Sequence, residues 1–220
     1  MNVWRRFQCA CTELLHEHDH SWSVLVSVLL FSSSLFVSAI AVQFAARDAG
    51  NYTTDILLDN LPVVNTDIIF TEGAFVFVMF VVCLLLLKPK AIAFTTKSLG
   101  LLIYTRSFFV IMTHIAPYPD RIVTDLDRFR YISSGSDLFF SGHTAIPFML
   151  ALVFWQRPRL RLTFLVCSVL AACAVILGHL HYTIDVFAAF FITYTVYAIS
   201  RALFKSDYRI FTNDFRMPIE

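Results

Sequence analysis

Charge is what this chain of 220 residues has least of: Asp, Glu, Lys and Arg make up 15% of it, against about 25% in ordinary globular domains. The 17 basic and 16 acidic residues nearly cancel, leaving +1. No basic footprint therefore argues for a nucleic-acid partner. Glycine is also scarce, with 6 residues, which excludes collagen-like and Gly-rich low-complexity readings. Five cysteines lie scattered with no C-x-x-C spacing, so neither a disulfide framework nor a structural zinc is expected. There is no internal repeat and no Gly/Ser/Pro-rich linker, so the chain reads as one domain. What fills the space is hydrocarbon: 58% apolar residues, 23 of them Phe, and a mean hydropathy of +0.69. The solvent of such a chain is mostly lipid.

A transmembrane helix needs roughly 20 mainly apolar residues. Six stretches qualify: Trp22–Ala46, Ile68–Leu87, Ser98–Tyr118, Phe139–Gln156, Leu162–Leu180 and Tyr182–Phe204. The fourth is the shortest, and only Arg157-Pro-Arg-Leu-Arg161 separates it from the fifth. The first run is too long for a typical signal-peptide core and reads as a retained anchor. The expected architecture is all-α, a six-span transmembrane bundle over residues 22–204 between an N-terminal tail (1–21) and a C-terminal tail (205–220).

Lys and Arg concentrate in cytoplasmic loops. On one side lie Arg5, Arg6, Lys88, Lys90, Lys97, Arg157, Arg159, Arg161, Arg201, Lys205, Arg209 and Arg216; on the other, Arg47, Arg121, Arg128 and Arg130. The imbalance predicts both termini in the cytoplasm.

Ionisable groups inside spans cost at least about 2.5–3.5 kcal/mol each at the helix centre, so their placement carries information. Glu72, His114, His143, His179, His181 and Asp185 all fall toward the non-cytoplasmic ends, with Arg106 deeper in the third span. His181 and Asp185 are four apart and share a helix face. The carboxylate can fix the imidazole tautomer and leave the other nitrogen to attack or to take a proton; equally, the pair can serve as polar glue between helices. Ser141-Gly142-His143-Thr144 opens the fourth span. A small-residue helix start presents free N–H groups and the positive end of the macrodipole, which suits phosphate; taken alone, Ser-Gly-His is a weak signal that reads more readily as an ordinary cap than as a site.

Together, Ser141-Gly-His-Thr144 and His181-Tyr182-Thr-Ile-Asp185-Val resemble the paired signature of the sphingomyelin synthases, within the broader type 2 phosphatidic acid phosphatase superfamily. Asp137 occupies the acidic position before the first motif. Arg106 through Thr113 and Pro117 resembles the third-span motif, and Leu61–Asp67 the Pro- and Asp-containing segment before span two. The resemblance covers about residues 60–200 and agrees with six spans. It implies a phosphohistidine mechanism: His181 attacks phosphorus, Asp185 orients it, and His143 protonates the leaving diacylglycerol and then activates the acceptor. It further implies phosphate or headgroup binding by Arg106, Asp137, Ser141, Gly142 and Tyr182. No metal and no cofactor is implied. The partners would be a phospholipid donor and a lipid-alcohol acceptor, ceramide or diacylglycerol, in the bilayer. Gly135-Ser136 replaces the family's Cys-Gly, so the headgroup stays open. The phosphatase branch fits less well: Phe129 stands where its Pro is expected, and Val175 where its third motif has Arg.

Two rivals follow from the same residues. One is hydrolysis, with water as acceptor. The other is an ion-coupled transporter, which intramembrane His, Asp and Glu also permit, but transporters usually carry internal repeats. His16, His18 and His20 before the first span read as surface or cap residues rather than metal ligands.

Overall fold

The longest apolar runs form the longest helices. A computed structural model describes residues 18–47, 50–113, 115–124 and 138–216. Its elements are α1 (His18–Arg47), a single turn α2 (Asp67–Phe70), α3 (Glu72–Leu86), a 3-10 turn (Pro89–Ala91), α4 (Ile92–Met112), α5 (Gly142–Val153), α6 (Pro158–Leu177), α7 (Thr183–Leu203) and α8 (Lys205–Arg216). The described residues contain no strand.

Four segments are long and apolar enough to cross a membrane: Ser21–Arg47, Asp67–Leu86, Pro158–Leu177 and Thr183–Leu203. They expose large side chains to their surroundings, among them Phe36, Phe75 and Phe191, each more than two-thirds exposed. Contiguous apolar exposure on that scale is an aggregation hazard in water. In hydrocarbon it is the proper boundary, as expected of a membrane-embedded protein. In α3 only Val81 is buried, so that helix is peripheral.

The two remaining expected spans differ in kind. The third, expected over Ser98–Tyr118, is the helix Ile92–Met112; it starts and stops earlier because Thr113 is extended. Its apolar character is diluted by residues that face inward, and Thr95, Lys97, Ser98 and Ser107 are all buried. Ser98 and Ser107 donate to the carbonyls of Phe94 and Ile103, both at 2.8 Å. Back-bonding of this kind lets a hydroxyl enter an apolar interior without losing its partner.

The fourth, expected over Phe139–Gln156, is only the twelve-residue α5, about 18 Å at 1.5 Å per residue. Ser141 caps it at one end, and the chain turns at Phe154 toward Pro158, which starts α6. Short as it is, α5 is central. It packs on α4, α6 and α7 and supplies Met149, Leu150 and Phe154 to a core shared with Phe94, Leu102 and Phe164.

Residues 205–216, expected only as tail, form the amphipathic α8. Its Phe211 is buried beside Phe94 and Phe154, with ring centroids 5.8 and 5.6 Å away. The neighbouring Asp207 takes Lys97 of α4 at 2.7 Å, and Ser23 of α1 joins the pair. The ends of α1, α4 and α8 are thus tied by one polar knot.

Candidate active site

Three helices converge at the other end of α5. Ser141 caps α5: its backbone is extended and its Oγ accepts the N–H of Thr144 at 3.4 Å. Pro147, inside the same helix, has no N–H to return to the carbonyl of His143. From α4, Arg106 donates Nε–H to the carbonyl of Phe140 at 3.1 Å. Its side chain lies against Gly142, where a Cβ would stand 3.3 Å from Nε. Glycine therefore lets the cation approach the first turn of this helix a few tenths of an ångström more closely than alanine would. From α7, the carbonyl of Asp185 accepts the N–H of Ser141 at 3.1 Å, locking the two motifs edge to edge.

The His–Asp pair sits at the α7 start. Nδ1 of His181 faces Oδ2 of Asp185 at 3.4 Å, with both side chains nearly sealed from solvent. The same Oδ2 accepts the N–H of Tyr182 at 3.2 Å. The carboxylate is therefore fixed by the helix start it caps, and Nδ1 is the nitrogen committed to it. Nε2 is the one left for chemistry. At 3.4 Å the contact is loose, as catalytic hydrogen bonds often are before substrate arrives.

The backbone leading into each motif adopts left-handed φ at a non-glycine residue: Phe139 at 96° and His179 at 52°. Each lies two residues before its motif. Such conformations cost of order 1–3 kcal/mol and cluster at functional sites. The His179 ring is buried against Tyr118, at a centroid distance of 5.1 Å, with neither nitrogen hydrogen-bonded.

Loops from far earlier in the chain close the surface over the α6–α7 turn. Val64 N–H bonds the carbonyl of Leu177, Ile122 N–H that of Gly178, and Thr66 Oγ1 that of Ala174, at 2.8–3.0 Å. A Cβ at Gly178 would lie 2.6 Å from Thr66 Oγ1, so the turn closes only with glycine. The hydroxyl of Tyr182 donates to the carbonyl of Ala116 at 2.9 Å and accepts from Thr53 N–H at 3.3 Å. Those bonds make Tyr182 an anchor for two loops in this state.

Sequence reasoning missed Asp55. It accepts from the N–H and the hydroxyl of Thr183, at 2.7 and 2.5 Å, and from the N–H groups of Leu57 and Leu58. Burial alone would raise its carboxyl, but those four donors outweigh it and hold the pKa below the ordinary value. Beside it, Tyr118 donates to Asp59 at 2.7 Å. That bond, with partial burial and the Asp59 charge, pushes the phenol up to about 12. No local pattern points to Asp55, because Thr183 is 128 residues away.

His143 projects from the first turn of α5 and packs against Phe70 of α2, with centroids 4.0 Å apart and the rings tilted by 32°. It borders a cavity of about 270 Å³ whose other walls are almost wholly apolar, including Phe77, Ile146 and Leu170. Asp137 and His114 lie outside the described residues, as do His16 and the segment carrying Arg128. Among the described residues no group of three His, Cys, Asp or Glu could hold a metal ion.

One end of this helical membrane protein thus gathers a buried His–Asp pair, a capped helix start with a guanidinium against it, and a histidine beside an apolar cavity. Residues 135–202 match the family model described as PAP2 superfamily C-terminal. The matched segment is under half of the chain; it includes Asp137, the Ser141–Thr144 cap and the His181–Asp185 pair, but not Arg106. Its description agrees with the type 2 phosphatidic acid phosphatase superfamily. Comparison with curated proteins and with solved structures gave no match.

Proposed function

We propose that this protein is a membrane lipid phosphotransferase that moves a phospho-headgroup from a glycerophospholipid to a lipid alcohol, with ceramide as the expected acceptor. The observation that supports the reading is the junction of Ser141 with Asp185: a bond to the main-chain carbonyl of Asp185 brings a phosphate-suited helix start, with Arg106 against it, onto the residue whose carboxylate faces His181. The apolar cavity beside His143 supports a substrate with hydrocarbon chains.

In this mechanism Nε2 of His181 attacks phosphorus, and the bond from phosphorus to the glycerol oxygen breaks. His143 gives its proton to that oxygen, releasing diacylglycerol. The acceptor hydroxyl then loses its proton to His143 and attacks the phosphohistidine; the P–N bond breaks and the enzyme is restored. Arg106 and the N–H groups of the α5 start hold the charge that builds on the phosphoryl oxygens, and Asp137, by its position in the sequence just before the Ser141 motif, is assigned to a cationic headgroup. The reading includes six spans, α4 and α5 being the two that are enclosed, with both termini cytoplasmic and the site on the opposite side.

The family description is equally compatible with a second reading, in which water takes the place of the acceptor and the products are those of a lipid phosphatase or a phospholipase C. One experiment separates them. Purified protein in detergent is given headgroup-labelled phospholipid with and without ceramide. A labelled phosphosphingolipid supports transfer, released headgroup alone supports hydrolysis, and neither product sinks both.

A further inference from the structure

The cavity beside His143 has a definite shape as well as an apolar lining. It lies between α2 and α3 on one side and α5 and α6 on the other. Apart from His143 and the thiol of Cys167, no side chain among its described lining residues bears nitrogen, oxygen or sulfur. Gly73, Ala74, Phe77 and Val78 form the α3 wall, at a spacing that puts them on one helix face. His143 and Phe70 stand together at one end. One turn beyond Cys167, Phe77 and Phe80 meet the buried Phe164 of α6, with ring centroids 6.0 and 5.9 Å away, and close the other end. The flank is open. Ile69, Val78 and Leu170, all in the lining, are each more than half exposed on the surface that these apolar helices turn to lipid.

We infer that this cavity is a slot for a single hydrocarbon chain, one from the diacylglycerol half of the donor lipid, entering sideways from the bilayer. The inference rests on the proposed function, which places the glycerol oxygen at His143, and adds which part of the lipid the protein holds. Two measures fix the size. Along α6 the lining runs from Val175 to Cys167, about 12 Å at 1.5 Å per residue. An extended chain advances about 1.2 Å per bond, so that depth takes about ten carbons. A methylene is close in size to a water molecule, with its share of about 30 Å³, so the volume of about 270 Å³ takes about nine. Both measures admit one chain and exclude two side by side. Carbons beyond the slot leave by the open flank, and the second chain stays in the bilayer. Because the chain exchanges one hydrocarbon surrounding for another, burial gains little, and the slot selects by shape. Gly73 sets its width at the His143 end. A Cβ there would meet nothing closer than 3.8 Å, so a methyl is tolerated and a longer side chain extends into the slot.

The test reads occupancy rather than turnover. Full-length protein in nanodiscs receives diacylglycerol carrying one photoactivatable diazirine, on either the eighth or the sixteenth carbon of one chain. Adducts are then located by mass spectrometry. The eighth-carbon probe should modify Phe77 and Cys167 at least fivefold more than the sixteenth-carbon probe does. Gly73→Leu should cut that labelling at least fivefold, while Gly73→Ala should leave it within twofold of wild type. Ala171→Phe fills the slot from the α6 wall and should act like Gly73→Leu, so the result does not hang on one variant folding. Equal labelling by the two probes, or labelling unchanged in both filled variants, would overturn the slot. The headgroup assay on the same preparation keeps the two readings apart. Position-dependent labelling in a protein that yields neither product would retire the phosphotransfer reading and leave the chain slot standing. Turnover together with equal labelling by the two probes would do the reverse.

Discussion

Among the described residues, ionisable groups are buried at two ends of the bundle, and the two ends solve the same problem in opposite ways. At the α8 end, Lys97 reaches Ser23 at 2.6 Å and Asp207 at 2.7 Å, while Ser23 donates to the other oxygen of Asp207. Both oxygens of that carboxylate are used, and both bonds of the lysine are short. At the other end, His181 and Asp185 stand 3.4 Å apart, neither ring nitrogen of the neighbouring His179 has a hydrogen-bond partner, and Phe139 is held at a φ of 96°. The first cluster closes its polarity on itself; the second leaves part of it unpaired. Burial and charge are common to both, so they do not single out a candidate centre. Incomplete pairing beside strained backbone is what distinguishes the α7 start and supports the proposed site there.

The strongest way to break this contrast is to remove one member from each end. His181→Ala should lower lipid turnover on the order of 10³-fold or more, as loss of a nucleophile does, while the protein still inserts and is recovered from membranes. Full turnover in that variant would end the assignment. Lys97→Met should do the reverse. Leaving Asp207 buried without its cation costs about 3–5 kcal/mol, read as a lowered thermal midpoint in detergent. The fraction that stays folded should turn over lipid normally. Adding Asp207→Leu should restore much of the midpoint, since the pair is replaced rather than broken.

Asp55 sharpens the comparison, because it is a fully paired carboxylate placed at the end that carries the candidate site. Asp55→Ala should cost about 1–3 kcal/mol, as expected for leaving buried donors unmade, and should loosen the start of α7. Its sign with pH is fixed by the lowered pKa. A carboxyl depressed in the folded state contributes stability that is present above its unfolded pKa, about 3.9, and lost as pH falls through the folded value. The acid limb of the wild-type stability profile should therefore be steeper than that of Asp55→Asn. Superimposable acid limbs would show that Asp55 does not hold the loop.

The reach of sequence reasoning follows the distance between partners. His181 and Asp185 are legible because a helix brings residues four apart onto one face. The Ser141 cap is legible because its bond is to Thr144. The four long apolar helices are legible because lipid imposes a length. Asp55 with Thr183, and Lys97 with Asp207, are separated by 128 and 110 residues; no local period encodes such pairs. The short α5 was overdrawn for a related reason. An apolar run reads alike whether it meets lipid or other helices, so hydropathy could not show that Phe154 already turns toward α6. Interior polarity likewise blurred α4, whose buried hydroxyls bond to their own helix.

The finest test lies where the two ends differ least in energy. Gly142 carries no positive-φ requirement, and an alanine methyl there would sit 3.3 Å from Nε of Arg106. The guanidinium must then shift by a few tenths of an ångström, which a flexible side chain can do at little cost. Stability should be unchanged or rise by about 0.5 kcal/mol, because alanine restricts the unfolded chain more than glycine. Turnover is another matter. Misplacing a reacting group by about 1 Å can cost 10²-fold, so a shift of tenths predicts a several-fold loss in kcat/KM. Gly142→Ala should thus separate the two readouts that Lys97→Met couples in the opposite sense: a thermal midpoint equal to or above wild type, with several-fold slower lipid turnover. Unchanged turnover would mean that the position of Arg106 over the α5 start does not matter to the phosphoryl group, and its proposed role would have to be given up.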